Sequence, residues 1–222
     1  ILLFLAVISI AVFTYLDSRG IDIRKASLGQ LAAGIGGSGA KASEVLYDIP
    51  FDSREHPVFY VYKDYLVKCS KDGIRLLDKK GAEVWTETIP LNKPIARTNG
   101  RELLVADTGG QDVFVLNDGG ILWKDTLDVN IYNADISREG YITVVTGSKR
   151  YNSEVRVYDT HGIELFRSII ANDFAVSAKI SPSTKQMAVD EINAGGIKAA
   201  TSIRFLDMKG ADLGVKNLDT ST

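Results

Sequence analysis

One cysteine and two histidines in 222 residues remove whole classes of chemistry before any pattern is sought. The single thiol, Cys69, leaves no intramolecular disulfide, no zinc finger and no cysteine cluster. It lies in DYLVKCS, where Tyr65, Val67 and Cys69 alternate onto one face of a strand, so the expectation is a small buried hydrophobe. A thiolate nucleophile needs a neighbouring base, and His56 and His161 are the only imidazoles available. The formal net charge of −2 supplies no field to hold a polyanion, so no nucleic acid partner is expected. HExxH, GxSxG and phosphate-loop patterns are missing, and the glycines of 34–39 follow no strand. Behind residue 43 no stretch keeps a helical period.

What is present begins with a membrane end. Residues 1–16, ILLFLAVISIAVFTYL, carry no charge and only Ser9 and Thr14 as small hydroxyls. As a helix they would span roughly 24 Å, against a hydrocarbon core of about 30 Å. The chain also opens on Ile, and both facts point to residues ahead of position 1, including the basic flank that sets orientation. Ser9-Ile10-Ala11 offers a small-x-small cleavage site, yet the apolar run continues to Leu16. An uncleaved signal anchor is therefore expected. Asp17, Arg19, Asp22, Arg24 and Lys25 mark the return to water, and 17–43, with ASLGQLAAGIGGSGAKAS, reads as a flexible tether. An anchor placed so leaves 44–222 outside the cytoplasm, on a single-pass protein of the cell membrane.

A four-fold repeat then sets the architecture. DKKGAEVW at 78–85 returns as NDGGILW at 117–123, DTHGIELF at 159–166 and DMKGADLG at 207–214. The turn glycines Gly81, Gly120, Gly162 and Gly210 are each preceded three positions earlier by Asp78, Asn117, Asp159 and Asp207. Asp or Asn there bonds its own backbone two residues on, and Gly supplies the positive φ of a tight turn. Strand-like runs flank every copy: GIRLLD, DVFVLN, EVRVYD and SIRFLD before it, AEVWTETI, ILWKDTL and IELFRSII after it. YLVKCS, RELLVAD, YITVVTG and QMAVDE lie further upstream. Each unit thus holds four short strands, and such a sheet cannot bury both faces alone. Stacking the sheets radially buries them, which is the β-propeller solution. The expected fold is all-β: a propeller of four-stranded antiparallel blades over 44–222, about four of them, behind an N-terminal transmembrane helix.

The D-x-x-G-x-x-x-W blade ending resembles the PQQ-like and outer-membrane assembly lipoprotein types of propeller repeat. ISPSTKQMAV at 180–189 resembles the strand-turn-strand of WD40-like and tricorn-like blades. The layout of anchor, tether, YDIPFD lead and blades resembles an uncharacterised family of membrane-anchored propellers from Gram-positive bacteria of the clostridial kind. That resemblance covers almost the whole chain and implies blades, not catalytic residues. The PQQ-like resemblance implies a ring of about seven or eight blades, so the ring is expected to be incomplete here. Blade four departs from the pattern, with Gly214 where an aromatic is expected. The lead strand at 44–50, alternating Val45, Tyr47 and Ile49, is of the kind that completes a last blade. In an open arc Ile203 and Phe205 or their opposite-face neighbours would be exposed, and residues 1–222 would be poorly stable or self-associating.

Candidate sites are few. ADTGGQD has two carboxylates, Asp107 and Asp112, whereas calcium takes about six to eight oxygens, so a hairpin tip is the simpler reading. His161 stands in a repeated turn, and His56 has no metal-spaced partner. PQQ-like enzymes, as the resemblance implies, stack a quinone on aromatics and hold calcium, often beside vicinal cysteines. This chain has no such pair, and Trp85 and Trp123 occupy equivalent blade positions suited to packing between sheets. No cofactor, metal or catalytic residue is assigned. Aligning NADIS with SAKIS superposes Asn133 on Ser177 and Asp135 on Lys179, and turns all four towards the central channel or its mouth as binding candidates. The second-to-third-strand connection lengthens from SKDG through DTGGQD and TGSKRYNSE to DEINAGGIKAATS, and Lys149, Arg150 and Tyr151 offer a contact surface at the third tip. The expected role is a binding or scaffolding module at the cell envelope, its partner another envelope protein or a cell-wall ligand. The alternative is an envelope enzyme that uses the channel.

Overall fold

The computed structural model describes residues 51–55, 57–182, 186–196 and 198–218. The anchor at 1–16, the tether at 17–43, the lead strand at 44–50 and His56 lie outside the described residues. A short 3-10 turn, Ser53–Glu55, leads into the first blade: β1 (Val58–Tyr62), β2 (Tyr65–Ser70), β3 (Gly73–Leu77) and β4 (Glu83–Glu87). The second blade holds β5 (Pro94–Thr98), β6 (Leu103–Asp107), β7 (Asp112–Asn117) and β8 (Gly120–Thr126). β9 (Ile131–Ile136), β10 (Ile142–Gly147), β11 (Ser153–Tyr158) and β12 (Glu164–Ile170) form the third. The fourth comprises β13 (Phe174–Ile180), β14 (Gln186–Asn193), β15 (Ala200–Asp207) and β16 (Asp212–Leu218). Every blade is an antiparallel meander in which each strand pairs with its sequence neighbours. The expected all-β blades are therefore present, one per copy of the repeat.

Burial follows from stacking. The middle strands are apolar on both faces, as in LLVAD of β6 and ITVVTG of β10, whose residues are all buried. A continuous apolar run suits a sheet covered on both sides. Successive residues point to opposite neighbours: Phe114 and Leu116 pack with Tyr62, Ile74 and Leu76 of the first blade. Val113 and Val115 pack with Ile142, Val144 and Tyr158 of the third. Val155 and Val157 meet Met187, Val189 and Leu206 of the fourth. Each such buried side chain contributes about 1.5–3 kcal/mol. Cys69 sits inside the first of these clusters, where burial pushes its thiol up to about 12 and keeps it protonated.

The repeated turn also joins the blades. Asp78 Oδ1 accepts from the N–H groups of Lys80 and Ala82 at 2.8 Å each. Asp159 does the same for His161 and Ile163, and Asp207 for Lys209 and Ala211. Asn117 closes a tighter turn, in which it pairs directly with Gly120 across Asp118 and Gly119. The signature is one, but the geometry has two forms. The ring of each blade's outer strand then lies on the turn glycine of the next blade. A Cβ on Gly120 would meet Trp85 at 3.1 Å, one on Gly162 would meet Trp123 at 2.6 Å, and one on Gly210 would meet Phe166 at 2.8 Å. Glycine is needed there for its φ of 82° at Gly162 and 84° at Gly210, and because a ring occupies the space a side chain would fill.

The fourth blade breaks the series in a structured way. Leu76 stands opposite Trp85, Val115 opposite Trp123 and Val157 opposite Phe166. In the fourth blade the pair is reversed, with Phe205 opposite Gly214. The aromatic has crossed to the adjacent strand. Phe205 is 36% exposed, Ile203 is half-buried and β16 is exposed along its length. Among the described residues no apolar cluster joins the fourth blade to the first.

The ring-on-glycine contact can be tested by a double-mutant cycle in urea. Trp123→Ala should cost up to about 3 kcal/mol, since the ring is half-buried between the blades. Gly162→Ala should be destabilising in the wild type through both ring and φ, and less so beside Trp123→Ala, where only the φ cost of about 1–2 kcal/mol remains. Equal costs in the two backgrounds would show that ring and glycine do not act together.

Candidate binding rim of the third and fourth blades

The strand directions sort the connections into two rims. The D-x-x-G turns lie on one. The other, the loop rim, gathers the β2–β3, β6–β7, β10–β11 and β14–β15 connections with the crossovers between blades. Backbone bonds knit this rim: Thr108 N–H donates to Lys93 O at 3.0 Å, Gly109 N–H to Ile131 O at 2.7 Å and Gly147 N–H to Asn130 O at 2.9 Å. Asp107 is the hub of the second blade's part. It is buried, and its Oδ1 accepts from Asn92 N–H at 3.0 Å and Lys93 N–H at 2.7 Å, while Oδ2 takes the Asn92 amide at 3.2 Å. Asp112 instead accepts from Thr126 Oγ1 at 2.6 Å. The two carboxylates of ADTGGQD therefore serve separate structural bonds, and no metal-ligating cluster occurs among the described residues.

The four inner-strand residues come together across the seam between β9 and β13. Asn133 donates its amide to Val176 O at 3.0 Å and accepts from Ala134 N–H at 2.9 Å. Lys179 reaches Asp135 at 3.4 Å, and Ser177 donates to Asp190. Thr143 adds a buried bond to Ala178 O at 2.6 Å. Asn133, Asp135 and Lys179 thus stitch the third blade to the fourth, while Ser177 is tied within the fourth. Beside them stand apolar side chains that the protein leaves uncovered: Tyr132 at 50% exposure, Phe174 at 43% and Val176 at 44%. Further along the fourth blade, a shallow cleft of about 330 Å³ opens between Lys179, Gln186, Ala188 and Phe205.

The third loop adjoins this seam. Ser153, at its end, accepts from Ala175 N–H at 2.8 Å, which sets the loop against the start of β13. Tyr132 lies over Gly147 at its beginning, so closely that a Cβ there would meet the phenol oxygen at 2.8 Å. Between them, Ser148 Oγ accepts from the backbone of Arg150 and Tyr151, and the Arg150 guanidinium stands 5.9 Å from the Tyr151 ring centroid. Lys149 pairs with Asp128 at 3.0 Å. Asp128 also receives the buried Arg156 at 2.7 Å, and these two cations, Arg156 first, hold its carboxyl well below the usual range. The fourth connection is less of a loop than its length promises: β14 and β15 extend to eight residues each, leaving 194–199 as the tip.

Two features were missed in the sequence. Arg75, Arg156 and Arg204 stand three residues before the turn Asp in RLLD, RVYD and RFLD, a period that was visible. In the fourth blade Arg204 meets the buried Glu191 at 2.6 Å and Asp212 at 2.5 Å, so each later blade neutralises its arginine locally. The role of Asp107 left no local signal, because its partners lie across the crossover. His161 is exposed in its turn, 3.2 Å from Thr160 Oγ1. Among the described residues no helix is long and apolar enough to cross a membrane.

A family model described as a family of unknown function, DUF5711, matches residues 41–217. No curated protein matches the chain by sequence. Solved structures similar to it include Kluyveromyces lactis Hsv2p, 10% identical over 79% of this chain and 60% of that one, with a TM-score of 0.54. Saccharomyces cerevisiae Sqt1 is 16% identical over 72% and 48%, at a TM-score of 0.52. The Dos1 propeller is 12% identical over 69% and 44%, also at 0.52. At such identities the likeness speaks for the propeller fold alone. The chain spans about half the length of these structures.

The Asp128 latch gives a pH prediction. A carboxyl held low in the folded state adds stability that is present above its ordinary value of about 4 and is lost as pH falls below it. Asp128→Asn should therefore lower the thermal midpoint at pH 7 and flatten its fall in acid, the two curves converging at low pH. Asp159, Asp207 and Asp212 are also held low, by backbone N–H donors, so part of the acid slope should remain. Parallel curves for wild type and variant would show that the latch contributes nothing.

Proposed function

We infer that this chain, which belongs to the DUF5711 family, is a membrane-anchored binding module whose propeller holds a segment of another envelope protein at the loop rim of its third and fourth blades. The observation that carries this reading is the gathering of Tyr132, Tyr151, Phe174 and Val176, all exposed, around a seam whose polar groups are already bonded to one another. Aromatic side chains on rigid strands bind with little loss of conformational freedom, and Tyr and Arg are the commonest anchors of protein interfaces. Arg150 suits that role, since among the described residues its guanidinium has no carboxylate partner. The neighbouring Asp128–Arg156–Lys149 contacts hold the loop in one shape. Loops carried on a stiff scaffold are where recognition is commonly placed. The apolar run at 1–16 supports attachment to the cell membrane, and the tether behind it would let the propeller reach partners on the outer side.

Two experiments test the reading in the cells that make the protein. A photo-crosslinking residue at Tyr151 or Phe174 should give one adduct of defined mass, and the same residue at His161 on the turn rim should not. Equal adducts at both rims, or none at the loop rim, would count against it. Separately, the chain should stay with membranes through a carbonate wash, and loss of residues 1–16 should release it. A soluble species cut near Ala11 would instead identify a cleaved signal.

A further inference from the structure

On the turn rim, the hairpin tip that opens each blade stands beside the first tip and the D-x-x-G turn of the next. Between the first and second blades Lys63, in the β1–β2 tip, donates to Asp118 of the next turn at 3.2 Å. Its ammonium also lies 5.0 Å from the centroid of the Tyr62 ring. Between the second and third blades Asn99 and Arg101, in the β5–β6 tip, donate to the carbonyls of Ser137 and Arg138 at 3.3 and 3.2 Å. Glu102 closes on Gly140 there, where a Cβ would meet its carboxylate at 2.9 Å. Side chains of the chain itself thus close both seams.

The third seam is made of the same elements but leaves a cavity of about 150 Å³. Glu139 and Tyr141 of the β9–β10 tip line it, with Leu165 of β12 and Ile180, Ser181 and Met208 of the fourth blade. Leu165 is the extra residue of a β-bulge: Val157 pairs with Phe166 and Tyr158 with Glu164, which leaves Leu165 unpaired and turned into the seam. Met208 holds the place in its turn that Asp118 holds in the second blade. Glu139 brings to the tip the charge opposite to that of Lys63. It is half-buried, and among the described residues its carboxylate has neither an ion pair nor a hydrogen bond. The Tyr141 hydroxyl has no hydrogen bond among them either. Arg138 and Lys209, both exposed, adjoin lining residues in sequence, yet neither lines the cavity or pairs with Glu139. The walls therefore suit an apolar stem, and the carboxylate suits a cation that brings its own hydrogen bonds. A cavity of this volume takes a benzene, so about five or six heavy atoms fit. Butylammonium, the end of a lysine side chain, is of that size.

We propose that the turn-rim cavity between the third and fourth blades binds a small primary alkylammonium ion, its chain between Leu165, Ile180 and Met208 and its charge on Glu139. The site lies on the opposite rim from the partner surface inferred above, and neither depends on the other.

The chain has two methionines, and they make the site directly visible: Met208 lines it, while Met187 is buried in the core between the same blades. Magnetic resonance of the full chain, isotope-labelled at the methionine methyls, should give one signal for each, assigned by Met208→Leu. n-Butylamine, protonated at pH 7 as a lysine is, should move the Met208 signal to saturation and leave that of Met187 in place. Glu139→Gln should weaken binding at least about tenfold, and so should replacing the amine by n-butanol, which has the chain without the charge. Leu165→Trp, which fills the cavity from the bulge and leaves the carboxylate alone, should abolish it. A Met208 signal that the amine does not move overturns the proposal. Equal binding of amine and alcohol would make the cavity merely apolar and overturns it too, as does wild-type affinity in Glu139→Gln. A shift shared by both methionines would mean a general effect on the fold, and counts against the site in the same way.

Discussion

A four-stranded sheet whose middle strands are apolar on both faces needs a neighbour on each side, and everything else in this structure answers that demand. Leu104 and Leu103, adjacent in β6, are buried against different blades, as are Val113 and Phe114 in β7. The hydrophobic term is non-directional, so it explains that sheets stack but not how they are aligned. Alignment comes from the ring resting on a glycine that has no side chain to hold it off. Trp123 on Gly162 also meets Tyr158 at 5.7 Å between centroids, so one contact sets both the spacing and the tilt of two blades. The Asp of the same turn, bonded to two backbone N–H groups, keeps that glycine in its conformation.

The two rims follow from this division of labour. The turn rim is occupied by the joints and cannot vary freely, since any Cβ at Gly120, Gly162 or Gly210 would meet a ring. The loop rim has no such constraint and carries the differences between blades, from a two-residue tip at Lys71-Asp72 to the 194–199 tip of the fourth. It is held largely by backbone bonds, including those that Asp107 accepts, which tolerate changes in the side chains around them. That is why the exposed aromatics of the third and fourth blades can gather there without loosening the core.

Much of the blade architecture was legible because turn chemistry is local. Asp or Asn followed three residues later by Gly marks each hairpin whatever the rest of the chain does, and the strands are placed by counting from it. Asn133, Asp135, Ser177 and Lys179 were legible as equivalent positions of two inner strands, though not the bonds they make across and within the blades. What the sequence hid depends on pairing between distant residues. Gly214 looked like a lost aromatic, and only the register that sets it opposite Phe205 reveals a ring moved sideways. Asp107 looked like part of a hairpin tip, because its bonds to Asn92 and Lys93 cross between blades. The long fourth connection looked like loop, because alternation in DEINAGGIKAATS is too weak to show that β14 and β15 continue into it.

Blades joined only to their sequence neighbours behave as a nearly one-dimensional array, in which each unit is steadied by the one before and the one after. Each joint, such as Phe166 on Gly210 with the cluster around Met187 and Leu206, connects two blades and no others. Loosening that joint would speed amide exchange in the third and fourth blades more than in the first. Whatever seats itself on Tyr132 and Phe174, one from each of those two blades, would tighten the same joint from the opposite rim.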